Sequence, residues 1–124
     1  MVKFIFTCVL LVVSLDAYPK SLGDKQREFS LCVAKLITFA YDKGYEVTLG
    51  DAYRDPRVKY GHKNSAHRYR LAIDLNLFKD KKYLTKTKDY MFLGKEWIKC
   101  NPLARWGGAF NDGNHFSFLH NGVR

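Results

Sequence analysis

Apolar positions along this chain change period several times, and each change marks an element. Between about Asp24 and Lys43 the residues Phe29, Cys32, Val33, Leu36, Ile37 and Ala40 recur at helical spacing, which predicts an amphipathic helix with one buried stripe. Asp24 is placed to cap its start, Glu28 lies in its first turns, and Gly44 is a natural stop. From Tyr45 to Leu49 the period falls to two, a strand that runs into Asp51-Ala52-Tyr53-Arg54. Residues 55–66 hold Pro56, Gly61, Asn64 and many charges, and read as a loop. Leu71 to Leu77 alternates strictly: Leu71, Ile73, Leu75 and Leu77 share one face, and Ala72, Asp74 and Asn76 the other. Asp80-Lys81-Lys82 reads as a turn. A second helix is predicted from about Lys88 to Ile98, with Tyr90, Met91, Leu93, Trp97 and Ile98 as packing residues. Pro102 then breaks the chain, Gly107-Gly108 reads as a flexible turn, and His115 to Leu119 alternates as a last strand. There is no internal repeat and no interdomain linker. The pattern predicts a small α+β domain, a mostly antiparallel sheet with helices packed on it.

The first seventeen residues stand apart. Lys3 supplies a positive start, Phe4 to Leu15 is an apolar run broken only by Thr7 and Ser14, and Ala17 offers a small residue for cleavage. Such a run has the length of a signal-peptide core and falls short of the roughly 20 apolar residues that span a bilayer. We therefore expect residues 1–17 to be a signal peptide, residues 21–124 to be the functional domain, and the mature chain to be secreted or periplasmic, with no stable membrane insertion. Removal of Cys8 with the signal leaves Cys32 and Cys100. An even pair in an oxidising compartment can bridge, but Cys32 lies on the apolar face of the first helix, where a free cysteine behaves as a small core residue. The buried thiol is the favoured expectation.

A chain of 124 residues makes one domain. Its formal charge of +9, spread over the whole length, favours polyanionic partners such as nucleic acid, an anionic membrane or an acidic bacterial wall, and does not choose among them. A basic solubilising surface accounts for it equally well.

Candidate chemistry narrows the choice. Two strings, Ser65-Ala66-His67-Arg68-Tyr69-Arg70-Leu71-Ala72-Ile73-Asp74 and Trp106-Gly107-Gly108-Ala109-Phe110-Asn111-Asp112-Gly113-Asn114-His115, carry His67, Asp74 and His115, with Asp112 three residues before the last. Two imidazoles and a carboxylate fill three positions of a tetrahedral zinc and leave the fourth for water, as in a catalytic site. Asp74, central in an alternating strand, needs a partner, because an unpaired buried charge is costly. A metal is one such partner and an arginine another. A straight strand from His67 to Asp74 would separate them by roughly 23 Å at about 3.3 Å per residue, so shared ligation requires the chain to fold back between them.

These strings resemble the zinc peptidase family of D-alanyl-D-alanine carboxypeptidases, D-Ala-D-Ala dipeptidases and phage L-alanyl-D-glutamate endolysins. Its pattern is Ser-x-His-x-x-Gly-x-Ala-x-Asp followed by acid-x-x-His; here Ser65, His67, Ala72 and Asp74 fill the first part and Asp112 and His115 the second. Tyr53-Arg54 matches an upstream Tyr-Arg, and the similarity extends from about residue 21 to the end. The resemblance implies a hedgehog/DD-peptidase-like fold and a zinc ion held by His67, Asp74 and His115. Zinc in such a site polarises the scissile carbonyl and lowers the pKa of its water to roughly 7. It also implies Asp112 as general base, Arg54 as the group that holds the carbonyl oxygen or oxyanion, and Ser65 in a supporting role toward substrate or ligands. Peptidoglycan stem peptides are the implied partner, with no nucleic acid, and a monomer is expected. Arg70 replaces the family glycine, which costs about 1–2 kcal/mol if that position needs positive φ. The short segment between Gly108 and His115 suggests a reduced cleft wall. Aspartate at 112 and the Trp106-Gly107-Gly108 string resemble the endolysins, so the L-Ala-D-Glu bond is the expected target and D-Ala-D-Ala cleavage the alternative.

Two other classes compete. Hedgehog signalling domains resemble this fold, keep zinc and act by binding, but a purely structural site has no need of a poised Asp112. A basic nuclease would use His, Asn and a metal, yet the ligand strings lack the spacing of a nuclease hairpin. His62 and His120 are expected at the surface, and Trp106 and Phe110 in the core or cleft wall.

Overall fold

In the computed structural model, which describes residues 19–124, Ser21 opens the first helix, α1 (Leu22–Asp42). Its hydroxyl accepts from the Asp24 N–H at 3.1 Å while the Asp24 carboxylate accepts from the Ser21 N–H at 3.0 Å, a reciprocal capping box. Asp24 is thus the third helical residue and not the cap expected of it. Phe29, Cys32, Leu36 and Ala40 form the buried stripe, and Gly44, at φ +84°, turns the chain out of the helix. The segment 1–17 expected as an export signal lies outside the described residues.

The strands are β1 (Glu46–Leu49), β2 (Ala72–Lys79), β3 (Lys82–Tyr83), β4 (Ala104–Trp106) and β5 (His115–Phe118). All pair antiparallel in the order β1-β2-β5-β4, with β3 folding back on the end of β2. The α+β architecture with its antiparallel sheet is the expected one. Leu71, Ile73, Leu75 and Leu77 all face the core, as their alternation requires. Lys82, expected in the turn, begins β3, and the turn itself is made by Asp80 and Lys81 in the left-handed region.

The second helix, α2 (Met91–Cys100), follows a 3-10 turn at Thr87–Tyr90. Tyr90, Leu93 and Trp97 are buried, whereas Met91 and Ile98 are exposed, contrary to expectation. At about 100° per residue, Met91 lies about 200° and Ile98 about 140° round the helix from Leu93, so neither reaches the core face. Trp97 packs among Phe29, Phe116 and Phe118 with ring centroids 5.6–5.9 Å away. Its indole N–H donates to the carbonyls of Arg105 and Ser117 at 3.0 and 3.1 Å, tying β4 to β5 from beneath.

Cys32 and Cys100 form a disulfide with Cα atoms 6.0 Å apart, which corrects the expected free thiol. Cys32 is buried on α1 as foreseen, but the same packing brings the end of α2 within bridging distance. No helix among the described residues is long and apolar enough to cross a membrane.

Candidate metal centre and its cleft

Asp74 and His115 face each other across β2 and β5. The Asp74 N–H donates to the Asp51 carbonyl and its own carbonyl accepts from Gly50, so both main-chain groups point toward β1. Toward β5 the next bond runs from the Leu75 N–H to the Asn114 carbonyl at 2.9 Å. Asp74 and His115 are therefore a non-hydrogen-bonded pair, the arrangement that brings opposed side chains closest. The chain does fold back before β2, as shared ligation requires: His67 lies in a 3-10 turn, Ala66–Tyr69, capped by Ser65, whose hydroxyl accepts from the His67 N–H at 3.2 Å. Arg70 ends that turn at φ 55°, ψ 36°, the left-handed conformation that suits glycine, with its guanidinium 4.0 Å from the Tyr53 ring.

His67 Nε2 and His115 Nδ1 each lie 3.3 Å from Asp74 Oδ1, and one ligand atom from each of the three residues falls within 4.8 Å of the others. Bonds of about 2.0–2.1 Å to a tetrahedral ion separate neighbouring ligand atoms by about 3.3–3.4 Å, so the donor set fits a metal. His67 Nδ1 donates to the Ala52 carbonyl at 2.8 Å, which leaves the Nε2 lone pair for coordination. Burial pushes the Asp74 carboxyl up, but hydrogen bonds from His115 and His67 outweigh it and hold the group at about 2. For His67, burial pulls the imidazole down, and the hydrogen bonds to Asp74 and Ala52 more than offset this, raising it.

These residues line a cleft of about 280 Å³ that also receives Arg54, Ser65 and Asp112. All six residues singled out from the sequence are therefore brought together. Arg54 is buried, its backbone N–H donates to the His67 carbonyl at 3.1 Å, and its guanidinium is 3.7 Å from Asp51, not paired with Asp74. Tyr60 stacks on it at 5.2 Å, and Gly61 crosses so closely that a Cβ there would overlap the guanidinium.

Asp112 is exposed to the cleft and its backbone is fixed at both ends, by its N–H to the Gly107 carbonyl at 3.0 Å and its carbonyl to the His115 N–H at 3.1 Å. Gly107-Gly108 is not the flexible turn expected but an ordered 3-10 turn, Gly107–Phe110. A Cβ on Gly107 would overlap the Asp112 carbonyl, and one on Gly108 the Trp106 ring. Trp106 in turn donates to the Gly113 carbonyl at 2.7 Å. His62, expected at the surface, is exposed and also lines the cleft, as does Phe110.

Arg105, Arg124 and Ser117 line the cleft too and were not singled out from the sequence. Arg105 sits on a three-residue strand between Pro102 and Gly107, too short to show a period. The Ala52 carbonyl is a backbone group and leaves no sequence signal. Residues 59–118 match a protein-family model described as D-alanyl-D-alanine carboxypeptidase. No match was found among curated proteins.

Proposed function

We propose that the chain, whose residues 59–118 match the model of the D-alanyl-D-alanine carboxypeptidase family, is a zinc peptidase that cuts peptidoglycan stem peptides at the L-alanyl-D-glutamate bond. The observation that carries this reading is the convergence of His67 Nε2 and His115 Nδ1 on Asp74 Oδ1 at 3.3 Å, at the base of a cleft shared with Asp112 and Arg54. Zinc bound by these three ligands would supply Lewis-acid polarisation of the carbonyl and a water acidic enough to ionise near neutral pH.

The chain's own residues supply the rest. Asp112 takes the proton from the attacking water and passes it to the departing amine. Arg54 donates to the carbonyl oxygen, whose charge grows as the tetrahedral intermediate forms. Its burial and the covering Tyr60 limit its motion, so the donor is already in place when that charge develops. Ser65 holds the turn that carries His67. On this reading the protein works outside the cytoplasm as a monomer, with its positive charge drawing it to the acidic wall and with no nucleic-acid partner.

Aspartate at 112 and the Trp106-Gly107-Gly108 string favour the endopeptidase; the description of the matching family favours removal of a terminal D-alanine. Mass spectrometry of peptidoglycan fragments treated with the zinc-loaded chain separates them. New L-alanine ends on the glycan-linked stem, absent with Asp112→Ala, are the expected result. Released D-alanine moves the assignment to the carboxypeptidase. A folded, zinc-containing protein that cuts neither bond overturns the enzyme reading and leaves a hedgehog-like binding module.

A further inference from the structure

The cleft holds more positive charge than bond cleavage requires. Three arginines and two aspartates line it, before any metal is added. Arg54 has Asp51 at 3.7 Å, but Arg105 and Arg124 have no carboxylate partner among the described residues. Arg105 uses one guanidinium nitrogen, Nη1, on the carbonyls of Pro102 and Ala104 at 3.0 and 2.9 Å. Those contacts anchor the side chain at one end without neutralising it. Arg124 lies 4.1 Å over the Phe110 ring at the cleft rim.

A second observation lies directly beside Arg105. Ser117 is its partner across β4 and β5, and opposed residues of an antiparallel pair project to the same face of the sheet. Ser117 also stands two residues after His115 on β5, so that face carries the metal ligands as well. The Ser117 residue is 1 % exposed, and its hydroxyl is buried at the cleft without a hydrogen-bond partner. A buried hydroxyl left unpaired costs about 1–3 kcal/mol, and here its residue stands directly across the strand pair from an arginine whose charge is also unmatched. The two groups together are a donor set for an anion.

We propose that Arg105 and Ser117, with Arg124 at the rim, form a carboxylate subsite that recognises the free carboxyl of the residue on the leaving side of the scissile bond. The side follows from the fold. Arg105 on β4 and Asp112, in the β4–β5 connection, lie on one side of the ligand pair, and Arg54 follows β1 on the other. An amine that departs with a proton from Asp112 departs toward Arg105. This assignment rests on the proposed peptidase reading and deepens it: both candidate bonds precede a residue with a free carboxyl, whether D-glutamate within the stem or terminal D-alanine. Arg105 is then a specificity-determining residue, separate from the groups that break the bond.

The test uses pairs of stem peptides that differ only in whether that carboxyl is free or amidated. Against the zinc-loaded chain, amidation is expected to raise KM by about 10- to 100-fold, the range of one charge-assisted contact, with a smaller change in kcat. Arg105→Gln is expected to raise KM for the acid by a similar factor and leave the amide unchanged. Equal KM for acid and amide, or a variant that weakens both alike, overturns the subsite while leaving the peptidase intact. If neither peptide is cut, the peptidase reading fails and binding decides the subsite alone. Calorimetric titration of the Asp112→Asn protein should then favour the acid by the same factor, and equal binding or none overturns the proposal.

Discussion

The disulfide gives the most direct quantitative test of the fold. Cys32 and Cys100 are 68 residues apart, so the bond closes a loop that runs from α1 to the end of α2 and contains the first ligand string, with His67 and Asp74. In the chain-entropy account a loop of that size removes about 15 cal/mol/K from the unfolded ensemble, or about 4 kcal/mol at 25 °C. That is a large share of the roughly 5–15 kcal/mol that holds a typical domain together. Urea denaturation of the metal-free protein, with and without reductant, measures it without interference from metal bound to unfolded thiols. With a urea slope of about 1–3 kcal/mol/M, the midpoint should fall by about 1.5–4 M on reduction. The double variant Cys32→Ala/Cys100→Ala should fall similarly, with a further small loss because Cys32 is buried. A midpoint shift below about 0.5 M, or two free thiols titrating in the native oxidised protein, would refute the reasoning.

Other predictions follow from the site. In the metal-free protein Asp74 lies at about 2 against its usual 3.8, so its contribution is complete above pH 3.8 and is lost as pH falls through about 2. The difference amounts to about 2 kcal/mol. His67 is raised above 6.5, so its contribution is complete below pH 6.5 and is lost as pH rises through the raised value. Stability of the metal-free chain against pH should therefore be highest between about 4 and 6.5, and a maximum above pH 8 would contradict this. Removing bound metal should lower Tm yet leave the far-UV circular dichroism of the folded chain intact, since the aromatic core around Trp97 contains no ligand; unfolding on chelation would show otherwise. Gly94→Ala should cost about 1–3 kcal/mol by denaturation, because its methyl would overlap the rigid Trp106 ring. It should also lower activity, since Trp106 holds the Gly113 carbonyl next to Asp112.

Asp74 and His115 were legible because they sit in strands with a clear period, whereas Arg54, Ser65, His67 and Asp112 lie in turns and loops and were found through the motif resemblance. The alternation of Leu71 to Leu77 put Asp74 on the face opposite the core, and the fold-back before it followed from the reach of an extended chain. Where the elements are very short, that signal vanishes. β3 has two residues and β4 three, so neither shows an alternation, and Arg105 went unnoticed with its strand. Burial of Cys32 was legible, but its bond to Cys100 is a tertiary distance that no local pattern encodes. The glycines at 107 and 108 looked like freedom and are in fact points of close approach, which only the positions of the Asp112 carbonyl and the Trp106 ring disclose. Arg70 shows the opposite case: the motif pointed to a glycine there, and the chain adopts the left-handed geometry without one, with Tyr53 stacked on the guanidinium.

The pairing of Asp74 with His115 also bears on how the chain finds its fold. Side chains on a strand repeat every second residue, so a slip of β2 against β5 by two positions keeps apolar faces matched and escapes the penalty that rejects a slip of one. Such a slip sets Asp74 against Gly113 or Ser117, neither of which offers an imidazole. A chain misaligned in this way cannot assemble the three-ligand group, whereas the native alignment gains whatever free energy the ion contributes. The metal would then act as a proofreader of strand alignment during folding, before it takes any part in chemistry.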